Sequence, residues 1–218
     1  MLAALLGLFG PSAADASVVY VEFDSGNAWQ LGSGWGTDTN EASGTLLGGN
    51  FTVAGALAGS FNSLSVGVPW DVVFGTVLLT EPNGMSGITA NETDNLSVTA
   101  MLNFFAPPGT GSVNATTVAL VGSVSDAATD VTITFAPVVV LFGVGGSFQI
   151  DFGMLSAGSI VPITLAGNDP TANTRTAVAR ITLLTEPVTP VPEPSSLALM
   201  GLGLASVLGW GTRRRVNA

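Results

Sequence analysis

Apolar and polar residues alternate with a period of two along most of the chain, and the alternation is interrupted by clusters of Gly, Pro, Asn and Asp. The clearest stretch runs from Leu96 to Phe104. Leu96, Val98, Ala100, Leu102 and Phe104 fall on one side and Ser97, Thr99, Met101 and Asn103 on the other. That spacing predicts a half-buried strand. Val131, Ile133 and Phe135 alternate with threonines, and Phe148, Ile150 and Phe152 alternate with Gln149 and Asp151. Val18 to Phe23, Thr45 to Val53, Thr116 to Val124, Val138 to Phe142, Ile160 to Leu165 and Thr176 to Leu184 read as further strands. In Asp71 to Thr80, Val72, Phe74, Thr76, Leu78 and Thr80 share one face, opposite Val73, Gly75, Val77 and Leu79. Both faces are apolar, as in a central strand. Residues 24–43 read as a long loop or short ribbon, and Pro107-Pro108-Gly109 as a turn. About nine short strands between turn residues predict an all-β fold, an antiparallel β-sandwich.

Both ends depart from the alternation. Leu2 to Phe9 is a continuous apolar run closed by Pro11, and Ala14-Asp15-Ala16 follows with small-x-small spacing. These features predict a signal peptide over residues 1–16, cleaved after Ala16 and before Ser17. A buried first helix or strand is the alternative. Nothing before Asp15 is charged, so the basic n-region is expected either upstream of Met1, the favoured reading, or from the α-amino group alone. The β domain is assigned to residues 17–185. Residues 186–191, with Pro187 and Pro190, are expected to form an extended spacer. From Ser195 to Gly211 there are 17 uncharged residues, followed by Arg213, Arg214 and Arg215. A helix of that length covers about 25 Å against roughly 30 Å of hydrocarbon, so it is a short transmembrane candidate. The three arginines would hold its end in the cytoplasm and leave the rest of the chain outside.

The order of Val191-Pro192-Glu193-Pro194-Ser195-Ser196, an apolar Leu/Gly/Ala-rich helix and the arginine block resembles the PEP-CTERM sorting signal of exported proteins of Gram-negative bacteria. The resemblance covers residues 192–218 and their immediate approach. It implies export, transient anchoring in the inner membrane, recognition of Pro192, Glu193 and Pro194 by an exosortase, and delivery to the cell surface or extracellular polysaccharide. The upstream domain also resembles the choice-of-anchor β domains that accompany such tails. Gly34-Trp35-Gly36, Phe74-Gly75-Thr76-Val77-Leu78 and Phe148-Gln149-Ile150-Asp151-Phe152 carry that likeness, which implies no particular activity.

Charge narrows the partners. The net charge is −10, with no lysine, and upstream of the tail the only basic side chains are Arg175 and Arg180. A nucleic-acid partner is not expected, because phosphate binding needs clustered cations. Divalent cations and neutral glycans fit better. The chain has no cysteine and no histidine, which removes disulfides, thiolate catalysis and imidazole chemistry.

Four patterns could carry chemistry. Phe23-Asp24-Ser25-Gly26 has the form of an aspartic-protease turn, but that mechanism needs a second carboxylate, and Asp-Ser-Gly is ordinary turn chemistry. The scattered acids Asp24, Asp38, Glu41, Asp71, Glu81, Glu92, Asp94, Asp126, Asp130, Asp151 and Glu186 offer no spacing that selects a glycosidase pair. Asp38 with Glu41, Glu92 with Asp94, and Asp126 with Asp130 are loop clusters able to donate oxygens to Ca2+, although solvated turns are the simpler reading. Trp29 and Trp35 could stack on sugars or could close one end of the sandwich. The expectation is a non-enzymatic, exported, structural or adhesive protein. A carbohydrate-binding module is the alternative, and a carboxylate hydrolase the remote one.

Overall fold

A computed structural model describes residues 18–38, 44–81, 87–124, 128–167 and 173–188. The predicted signal segment, with Ala14, Ala16 and Ser17, lies outside these residues. So do Glu41, Pro192, Glu193, Pro194, the predicted transmembrane helix and Arg213 to Arg215. Among the described residues no helix is long and apolar enough to cross a membrane. The chain divides into two units, residues 1–187 and 188–218, and all the described strands belong to the first.

The described residues form strands β1 (Val19–Phe23), β2 (Ala28–Leu31), β3 (Trp35–Gly36), β4 (Leu47–Val53), β5 (Phe61–Leu64), β6 (Pro69–Leu79), β7 (Val98–Ala106), β8 (Gly109–Ala119), β9 (Val131–Phe135), β10 (Val138–Phe142), β11 (Gly146–Ser156), β12 (Ser159–Val161), β13 (Ile163–Leu165) and β14 (Thr174–Thr185). A single 3-10 turn, Ala90–Glu92, is the only helical element among them. One sheet has the order β13-β9-β8-β7-β1-β5, with β2 also on β7. The other has the order β10-β11-β14-β6-β4-β3, with β12 on β11. Strand pairing is antiparallel except for the short β3–β4 contact.

The all-β expectation holds, with more strands than the predicted nine. The loop-or-ribbon segment forms β2 and β3, and β5 was not predicted. The strand expected at Thr116 to Val124 starts at Gly109 instead, because Pro107-Pro108 makes a tight turn that sets Gly109 opposite Phe104. The strand expected from Ile160 to Leu165 is split by Pro162, whose ring removes a ladder donor. Its halves join different sheets, β12 pairing with β11 and β13 with β9.

The two sheets meet over one apolar core. Phe104 of β7 lies against Phe148 of β11, with centroids 5.2 Å apart. Phe135 of β9 lies against Phe152 of β11 at 4.7 Å, and Phe23 of β1 against Trp70 of β6 at 5.7 Å. The alternation in β7 and β11 predicted these inward faces. In β6 it did not. Opposite β14 the register shifts between Ala177 and Val178, where Gly75 and Val73 are the partners. This bulge leaves an extra residue in β6 and reverses which set faces inward. Phe74 is that extra residue and is buried; Trp70 and Val72 face the core before it, and Val77 and Leu79 after it.

Candidate metal centre

Three loops at strand ends converge on a group of carboxylates. Asp38 follows β3, Glu81 follows β6, and Glu92 closes the 3-10 turn. Each offers an oxygen, and these oxygens lie within 4.8 Å of one another. Glu92 is 0% exposed and Glu81 is 7% exposed.

The local backbone explains the approach. Thr80 N–H donates to Gly48 O at 2.9 Å, which continues the β4–β6 ladder one step past β6. Glu81 then folds back over β4, where the Gly48 N–H donates to its Oε1. A Cβ on Gly48 would stand 2.9 Å from that oxygen, and one on Gly49 would stand 2.5 Å from the Trp35 ring. The Gly48-Gly49 pair therefore clears the strand surface for Glu81 and Trp35 together. On the opposite side, the Thr89 N–H donates to Glu92 Oε2 at 2.6 Å, half of a capping arrangement.

The turn preceding Asp38 is pressed onto the segment following Glu92. Gly32 N–H donates to Ser97 O at 2.8 Å and Gly34 N–H to Asn95 O at 3.2 Å. A Cβ on Gly34 would lie 2.0 Å from the Asp94 carbonyl oxygen. Gly34→Ala should therefore force these loops apart and cost about 1–3 kcal/mol. Urea unfolding of the variant checks this, and an unchanged midpoint would contradict the close approach.

Electrostatics at the centre is one-sided. Burial pushes Glu81 up from 4.5 to about 7; the Gly48 amide opposes the shift, while the negative charges of Glu92 and Asp38 add to it. Glu81 Oε2 and Glu92 Oε1 are buried with no hydrogen-bond partner, and so is Thr89 Oγ1 beside Glu92. The arrangement can share a proton or surround a hard cation.

The structure unites Asp38 and Glu92 from the predicted calcium ligands. Asp94 is exposed and outside the cluster, because its peptide faces Gly34 while its side chain points to solvent. Glu81 had stood only among the scattered acids. Gly48-Gly49 inside a predicted strand was the available sign that something packs closely there. Asp24 caps its own turn, its Oδ1 accepting from Ser25 N at 2.7 Å. Trp35 is buried. Trp29 is half-buried between Phe51, Phe74, Phe135 and Phe152, and its indole N–H donates to Thr52 O at 3.1 Å. Trp29 packs across the sheets and Trp35 against Phe51 of the adjacent strand, so neither ring stands out as an exposed platform.

Beyond the two sheets, residues 190–215 match the family model of the PEP-CTERM protein-sorting motif. The match takes in Pro192, Glu193, Pro194 and the arginines through Arg215. The motif marks an exported protein, processed at the membrane by an exosortase. No curated protein and no solved structure matches the chain.

Proposed function

We propose that this is a non-enzymatic protein, released at its sorting motif to the cell surface or extracellular matrix, where the acidic two-sheet domain has a structural or adhesive role. The sorting motif at residues 190–215 is the observation that carries the reading. It follows directly on a β domain that ends near Pro187, the arrangement of a cargo and its address. Two features of the domain support a role in contact rather than catalysis. Two of the three clustered carboxylates are buried, Glu92 fully, which suits an internal brace better than an open cleft. Both sheets also end in strands with apolar side chains in solvent: Phe61 on β5 is 69% exposed and Leu141 on β10 is 79% exposed. Such edges favour association with other chains or matrix.

Replacement of Pro192, Glu193 and Pro194 by alanine in the native host tests the sorting step. The precursor should accumulate in the membrane fraction at full mass, and released protein should fall to background. Mass spectrometry of both fractions reads the C-terminus directly. Unchanged cleavage and release would remove the exosortase from the account.

A further inference from the structure

We infer that Asp38, Glu81 and Glu92 form a calcium site that braces the three loops carrying them. The inference rests on these side chains alone and is independent of the sorting reading. Three observations carry it. First, the oxygens have the right spacing. Ligands at about 2.3–2.6 Å from a Ca2+ ion can be at most about 5 Å apart, and the three carboxylate oxygens lie within 4.8 Å of one another. Second, the oxygens that need a partner are already buried. Glu81 Oε2 and Glu92 Oε1 accept no hydrogen bond although their residues are over nine-tenths enclosed. An unpaired buried carboxylate oxygen is among the most costly groups a fold can contain, and a divalent cation would compensate two or more at once. Thr89 Oγ1, also buried and unpartnered beside Glu92, is a further hard donor.

Third, the local charges are of one sign. The chain has no lysine or histidine, and of the two described arginines Arg180 is paired with Asp71, while Arg175 directs its Nε to Thr164 O. The donor set also selects the ion. All the donors are oxygens and the chain offers neither imidazole nor thiolate, which disfavours zinc and copper. Mg2+ keeps several waters in a strict octahedron, whereas Ca2+ accepts irregular carboxylate sets. The consequence is architectural: the Gly32–Ser97 and Gly34–Asn95 bonds join the turn before Asp38 to the segment after Glu92, the Gly48 amide holds Glu81 on β4, and a shared ion would lock these pieces as one corner.

The test uses the purified full-length chain, stripped with a chelator and then titrated with CaCl2 alone. Calorimetry should show one ion per chain, with an affinity no weaker than the roughly 10⁻⁴–10⁻³ M of extracellular modules. At about 100 times that dissociation constant the melting temperature should rise by about 5–10 °C. Glu92→Gln and Glu81→Gln provide a sign reversal that a purely structural role would not produce. Without metal they should melt at or above wild type, because each removes a charge from the cluster. With Ca2+ they should melt below wild type and bind at least about tenfold more weakly. A wild-type melt indifferent to about 5 mM Ca2+, or an equal calcium shift in wild type and both variants, would overturn the site. The first result would leave a shared proton as the occupant, and the second would place the ion elsewhere.

Discussion

Phe152→Ala should remove about 4 kcal/mol from the stability of the β domain, a large part of the roughly 5–15 kcal/mol that holds a typical domain folded. Phe152 is 3% exposed and sits where the sheets meet. It contacts Trp29 at 5.6 Å, Phe74 at 5.0 Å and Phe135 at 4.7 Å. Trp29 and Phe135 come from one sheet, and Phe74 and Phe152 from the other, so removing one ring loosens both layers. Rings at these separations and steep mutual angles also contribute about 0.5–1.5 kcal/mol per pair beyond burial. Leucine in place of Phe152 should recover part of the loss by filling the space. Guanidinium unfolding midpoints of the three proteins give the comparison. A change below about 1 kcal/mol for the alanine variant would mean that the sheets are not coupled through this cluster.

The second large effect is a pH dependence of the metal-free protein. Glu81 titrates at about 7 in the folded chain, against an ordinary 4.5. Between these values the folded state holds a proton that the unfolded state has released. Stability therefore falls as pH rises through this window, opposite to the usual behaviour of a salt-bridged carboxylate. The contribution is complete below pH 4.5, is lost progressively up to about 7, and is level above that. Its size is about 3 kcal/mol. The groups facing Glu81 are the Gly48 amide, Glu92 and Asp38. Glu81→Gln carries no titrating proton, so it should flatten this part of the curve and be more stable than wild type at about pH 8. Urea unfolding of both proteins at a series of pH values, in metal-free buffer, measures the difference. Parallel curves would exclude Glu81 as the source.

The sequence revealed the layers of the fold better than its corners. In β7 and β11 an unbroken alternation names Val98, Leu102, Phe148 and Ile150 as inward-facing, and they are buried. In β6 the same reasoning fails at one point, because a bulge has no signature in a binary pattern. Val77 and Leu79 were placed opposite Phe74, and one extra residue puts them on the same side. The carboxylate centre was half legible for a related reason. Asp38 and Glu92 lie in acidic loops that suggest oxygen ligands, whereas Glu81 is a single acid at a strand end. Its partners are 43 and 11 residues away in sequence, and only the β4–β6 pairing and the loop contact at Gly34 bring them together. The tail was the most legible stretch, because a sorting signal is read as a linear order of residues and needs no tertiary contact.

The position of β14 has a mechanical consequence. It is the last strand among the described residues, yet it lies inside its sheet, paired from Ser147 to Gly153 on β11 and from Pro69 to Leu78 on β6. A pull on the chain beyond Thr185 would therefore load two ladders in shear, and their hydrogen bonds would have to yield together instead of peeling one at a time. The last described strand is thus held on both sides, so the domain's C-terminal end cannot fray without breaking both ladders.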